Sequence, residues 1–214
     1  MTLAIERHVS QADRWPKSGR VILAQFSDDN IVVYQAFRPS IAAYAVAHGR
    51  FGGDFSFSRM SWIKPNFLWM MFRSGWASKE GQESVLAVTI PRRAFLTILQ
   101  RVVHSKYVEA VYGSMASWKL ALRQSDVRLQ WDPDHGPTGG AQVRRAVQLG
   151  LSGETLRSYA TSDVVSIEDI SDFVRAQGEL VRARRLDELL TPREDVFPVD
   201  DPALRARLGL DDAA

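Results

Sequence analysis

The 214-residue chain reads as a single α+β domain with a mostly antiparallel sheet flanked by helices. Three features lead there. Two β-rich runs, VILAQFS and IVVYQAF, are separated only by Asp28-Asp29-Asn30, the pattern of a hairpin. Later β-rich runs alternate with helical runs that open at a proline or capping residue and close at a glycine. Composition is 45% hydrophobic and 24% charged, ordinary for one globular domain able to bury a core without staples.

Residues 1–20 read as a loosely ordered lead-in, 21–190 as the domain, and 191–214 as an extended tail packed on it. After the hairpin, Pro39 and Ser40 open a helix whose face carries Ile41, Tyr44, Ala45 and His48, and Gly49 closes it. FSFSRMSWI alternates and predicts a strand. Pro65 suits the first turn of the next helix, where its missing N–H costs nothing, and Gly75 stops it. SVLAVTI predicts a strand, then RRAFLTILQRVV and SMASWKLALRQ predict helices. DVRLQW predicts a strand ending in a turn at Asp132-Pro133. RRAVQLGL and VVSI predict two more strands, with a short helix capped by Ser152 between them. A long amphipathic helix, interrupted by Gly178, spans 168–190.

Net charge is only +2, but residues 1–150 hold 19 Lys+Arg against 11 Asp+Glu, and residues 151–214 hold 8 against 14. A basic body points to an anionic ligand. The chain has no cysteine, which excludes disulfides, thiolate metal sites and a cysteine nucleophile. No apolar run approaches the roughly 20 residues that cross a bilayer, and the start lacks a signal-peptide core. The protein is therefore expected in the cytoplasm, with no membrane partner. There is no phosphate-binding GxxxxGK[ST] loop, no GxGxxG after a strand and no GxSxG. His8, His48, His104 and His135 lack ligand-pair spacing, so no metal is expected.

The most unusual stretch is SRMSWIKPNFLWMMFRSGW, residues 58–76. It holds three of the six tryptophans, with Arg59, Lys64, Arg73 and the nearby Lys79. The strand-to-helix corner at Lys64-Pro65 is where helix-start N–H groups could meet an anion. Trp76 reads as core.

VYQAFRPSIA, SRMSWIKPNFLWMMFRSGW, VRLQWDPDH and VQLGLSGETLRSYA resemble domain-of-unknown-function family 4291, over roughly residues 20–210. That resemblance implies no activity. A second one, in the order of parts, is to the ADP-ribosyltransferase fold, which implies a split sheet. VYQA precedes one helix, RMSW precedes the next, and VQLGL is the late strand. Gln35 stands where Arg or His is usual there, and Gln148 where Glu is usual.

This second resemblance implies NAD and a set of site residues. Gln148, Arg73 and Arg59 would be the catalytic set. Gln35 and Ser61 would bond a ribose, Trp62 or Trp69 would stack on nicotinamide or adenine, and Lys64, with the arginines, would hold phosphate. Arg145 is a further binding candidate. It alternates away from Gln148 on an ideal strand, whereas Arg144 shares that residue's face. A glutamine can bond a ribose hydroxyl but cannot take a proton or offer a full charge. An acceptor that is already an anion needs no base. The implied activity is ADP-ribose transfer from NAD to a phosphate-bearing acceptor, with an RNA or DNA end as candidate. Two other readings stay open: a non-catalytic single-stranded nucleic-acid binder, and an interaction scaffold using the 168–190 helix. Structural roles also stand beside each assignment, such as Arg59 or Arg73 forked to Asp54, Asp132 or Glu83.

Overall fold

The computed structural model describes residues 2–211. In chain order, β1 (Ile5–Arg7), α1 (His8–Ala12), β2 (Leu23–Ala24), β3 (Asn30–Phe37) and α2 (Pro39–His48) come first. Then follow β4 (Ser61–Ile63), α3 (Phe67–Ser74), β5 (Ser84–Pro91), α4 (Arg92–Gln100), β6 (Val102–His104), α5 (Glu109–Tyr112) and α6 (Met115–Gln124). The last group is β7 (Val127–His135), β8 (Ala141–Leu151), α7 (Gly153–Ala160), β9 (Ser166–Asp169), α8 (Ser171–Arg182), β10 (Leu190–Pro192), β11 (Asp195–Val196) and α9 (Pro202–Leu208). This is an α+β chain with mixed, mostly antiparallel sheets.

Two sheets dominate. One has strand order β3-β5-β9 and is antiparallel throughout. The other has order β4-β8-β7-β6, with only the β6–β7 pair parallel. They meet at one bridge. The Tyr34 amide donates to the Lys64 carbonyl at 2.7 Å, and the Lys64 amide donates to the Tyr34 carbonyl at 3.1 Å. Past that bridge, β3 and β4 part.

Both faces of β3 and β5 are covered, which explains their almost unbroken apolar sequence. Ile31, Val33, Leu86 and Val88 enter one core with Ile63, Leu149, Phe95 and Tyr159. The alternate residues Val32, Tyr34, Val85 and Ala87 enter a second core with Phe67, Met70, Met71 and Val174. The period-2 alternation of a strand sends its neighbours to opposite layers.

Several expectations shift. The lead-in is ordered: β1 pairs with β10, and Gln11 and Trp15 are buried. The C-terminal segment contributes β10 and β11 and ends in a helix, α9, whose Leu204 and Leu208 are buried. The expected hairpin is reduced to its turn: the Ser27 amide donates to the Asn30 carbonyl and Phe26 bridges Ile31, while β2 itself pairs with β11. Val102–His104 leaves the expected helix and pairs with β7, as suits its β-branched pair of valines.

Strand β7 does not end at Asp132-Pro133 but continues to His135. Pro133 faces Arg145, whose amide points away from β7 and donates to the Gly19 carbonyl at 2.8 Å. Opposed residues whose amides point outward exchange no ladder bonds, so the missing N–H of Pro133 leaves the pairing intact. The long C-terminal helix resolves into β9 and the shorter α8. Gly178 lies inside α8 because a Cβ there would stand 3.0 Å from the Cβ of Trp76. No described helix is long and apolar enough to cross a membrane.

Candidate functional site

The parting of β3 from β4 opens a cleft of about 700 Å³. Gln35, Arg59, Ser61, Trp62, Lys64, Arg73 and Gln148 all line it. Strand geometry explains the floor. The β4–β8 register sets Trp62 opposite Gly150, and continuing it brings Lys64 to Gln148. Residues two apart share a face, so Trp62 and Lys64 stand beside Gln148 and Gly150. Gln130 is the direct cross-strand partner of Gln148 and also lines the cleft. Helix α3 covers one wall with Met70 and Arg73, three residues apart and therefore on one side.

Gln35 holds the split in shape. Its Nε2 donates to Ser61 Oγ at 2.7 Å and to the Trp62 carbonyl at 3.4 Å. Its Oε1 accepts from the Tyr159 hydroxyl at 2.8 Å. The side chain thus bridges the two strands where their backbones no longer pair, as a buried polar group must. With both amide atoms engaged, Gln35 positions Ser61, while the Ser61 hydroxyl retains its own proton to donate.

The cleft is cationic. Arg59 and Arg73 are exposed and form no fork to Asp54, Asp132 or Glu83. Asp54 is engaged by Arg38 at 3.2 Å and by the Ser40 hydroxyl at 2.9 Å. Lys64 is 4% exposed, and its amine makes no hydrogen bond or ion pair among the described residues. Burial, then the positive charge of Arg73, lowers its pKa to about 8, against the opposing pull of Asp132.

Trp69 and Arg145 lie elsewhere. Trp69 is 6% exposed and stacks on Phe72 and His135, with ring centroids 5.4 and 5.1 Å away. Its place on α3 turns it from the cleft toward the β7–β8 end, so it cannot stack on a ligand there. Arg145 is on the opposite face of β8 from Gln148, exposed, beside the N-terminal segment. Arg144 does share the face of Gln148 but is four residues further along. It is buried on Asp134, with Nε at 2.8 Å, and donates to the Pro16 carbonyl. Neither arginine lines the cleft.

The corner at Lys64-Pro65 is also not an open anion seat. The helix begins at Phe67, and Asn66 caps it by accepting from the Trp69 amide at 2.7 Å. The Phe67 amide donates to Oε1 of the buried Glu194 carboxyl group at 2.6 Å. A side chain from the C-terminal segment thus fills the position that a ligand anion would take.

Sequence reasoning missed Asp132 as a site residue. Its Oδ1 accepts from Gln130 Nε2 and its Oδ2 from Gln148 Nε2, each at 2.8 Å. The signal was the continuation of the DVRLQW alternation through Asp132, hidden by the reading of Asp-Pro as a turn. The result is a floor of Lys64, Gln130 and Gln148 over one carboxylate, with unpaired arginines at the rim. No curated protein sequence matches the chain. The family model described as Domain of unknown function (DUF4291) matches residues 21–197, most of the sequence, and the chain therefore belongs to that family.

Proposed function

We propose that the protein is an ADP-ribosyltransferase-like enzyme that uses NAD and transfers ADP-ribose to a phosphate-bearing acceptor, with a nucleic-acid end as the candidate. The observation that carries this reading is the split between β3 and β4, lined by Lys64, Arg59 and Arg73 without anionic partners of their own. The residues present suit a dinucleotide. The volume falls in the range of small-molecule sites, roughly 300–1,000 Å³. Guanidinium forks suit a pyrophosphate, and Trp62 offers a flat apolar surface. Bound NAD would supply the ADP-ribosyl group: its bond to nicotinamide breaks, nicotinamide leaves with the bonding pair, and a phosphate oxygen forms the new bond.

The chain's own residues have separable tasks. Arg59 and Arg73 neutralise phosphate at the rim. Lys64 supplies a point charge at the floor while protonated. Gln148 and Gln130 accept hydrogen bonds without removing a proton, which is sufficient for an acceptor that arrives ionised. Ser61 donates to the same ligand. A cytoplasmic location belongs to this reading and fits a chain without cysteine. A single-strand binder would need a row of exposed aromatic faces. Of Trp62, Trp69 and Trp76, only Trp62 lines the cleft.

The test uses radiolabelled NAD with mixed oligonucleotides and cell lysate. Label transfer that disappears in Gln148→Ala and Arg73→Ala supports the enzyme. If NAD neither binds nor reacts at millimolar concentration, the reading is lost.

A further inference from the structure

Gln130 and Gln148 are directly opposed across β7 and β8, and both line the cleft. Asp132 shares their face, two residues along β7. Its two carboxylate oxygens take one amide nitrogen from each glutamine. An ionised carboxylate only accepts hydrogen bonds. Each glutamine must therefore turn its nitrogen toward Asp132 and its carbonyl oxygen away. Neither carbonyl oxygen has a partner among the described residues. Two neighbouring acceptors are thus fixed side by side in the cleft.

What satisfies two neighbouring acceptors is a pair of neighbouring donors. Cationic donors, such as an amine or guanidinium, would be repelled by Lys64, Arg59 and Arg73. Phosphate oxygens, themselves acceptors, belong on those cations and not on the glutamines. Neutral paired donors beside a phosphate describe the vicinal hydroxyls of a ribose in a nucleotide. We propose that Asp132 is a positioning residue that presets Gln130 and Gln148 as twin acceptors for a ribose diol. The proposal rests on the nucleotide reading of the cleft and names the group that the floor recognises.

Asp132→Asn tests it with little change of shape. Asparagine offers one acceptor and one donor group, so one glutamine must reverse and present its nitrogen to the ligand. Binding to the full chain is measured by titration calorimetry with NAD, NAD lacking the nicotinamide-ribose 2′-hydroxyl, ADP and 2′-deoxy-ADP. Wild type is expected to favour the diol over at least one deoxy form by about 10- to 100-fold, and D132N to bring that ratio close to one. General loosening of the cleft would weaken both ligands and leave the ratio standing. Should D132N fail to fold, Gln130→Met removes one acceptor alone and is expected to lower the same ratio. NAD bound without diol selectivity, or selectivity unchanged in the variants, overturns the diol site and leaves the NAD reading intact. Selective binding of ADP without binding of NAD keeps the diol site and overturns the NAD reading. If neither NAD nor ADP binds at millimolar concentration, both are overturned.

Discussion

Lys64 is the residue whose chemistry the fold alters most. Its ordinary pKa of 10.5 falls to about 8, first through burial and then through Arg73. Between those two values the folded state binds fewer protons than the unfolded chain, so stability rises with pH across that window. Below pH 8 the charged amine opposes folding by up to about 3 kcal/mol. Lys64→Met is therefore expected to be more stable than wild type at pH 7, with the gap closing as pH approaches 10. Urea denaturation at pH 7, 8.5 and 10 reads this, and a gap independent of pH would sink the explanation. The opposite sign holds for binding: affinity for a nucleotide is expected to fall as pH rises through 8 in wild type but not in K64M. Arg73→Ala, removing an unpaired rim cation, is expected to weaken the same ligand about tenfold, measured by titration at low salt. The identities of these cations stood in the sequence. That Lys64 is buried and Arg73 exposed did not, because their exposure depends on where α3 lies over the floor.

Helix α3 shows how an element is fixed from both ends. Gly75 closes it in the left-handed region at φ 60°, as its place after the apolar run suggests. Its start is set by Asn66 and by Glu194, a residue 127 positions from Phe67. Burial, above all, raises the Glu194 carboxyl well above its ordinary range. A carboxyl with a raised folded-state pKa stabilises less as pH climbs above its unfolded value. Glu194→Gln keeps an acceptor for the Phe67 amide and is expected to flatten stability above pH 5. Glu194→Ala leaves that amide unpaired and is expected to cost about 1–3 kcal/mol. Urea unfolding from pH 5 to 8 separates the two. Strand β8 offers a second test. A Cβ at Gly150 would meet Met60 Sδ at 2.5 Å and the Trp62 ring at 3.0 Å. Gly150→Ala is expected to push Trp62 from its position and weaken nucleotide binding, seen as a change in tryptophan fluorescence and a lower affinity.

Across the whole molecule, both ends of the chain complete the fold. β10 pairs with β1 and β11 with β2. Phe197, Val199, Leu204 and Leu208 belong to the same core as the central strands. A chain ending at Leu189 would lose those strands, that apolar surface and the Glu194 cap together. It is expected to show no cooperative unfolding transition by circular dichroism, whereas an independently stable 21–190 unit would retain one. The acidic C-terminal third therefore acts as structure, while the basic cleft residues all come from positions 38–73.

The sequence by itself determined the α+β class, most helices and strands, the turn at Asp28–Asn30 and the concentration of cations around residues 59–73. Those follow from periodicity, caps and composition, all local. Tertiary structure alone decided which of the tryptophans faces the cleft, that Gln35 spans the gap between the parted sheets, and that the helix start at Phe67 is filled by Glu194. It also drew β7 past Asp132-Pro133, placing a carboxylate beneath Gln148. Each of these depends on partners far away in the chain. Strand register and long-range hydrogen bonds determine them, and neither is written in any short stretch of residues.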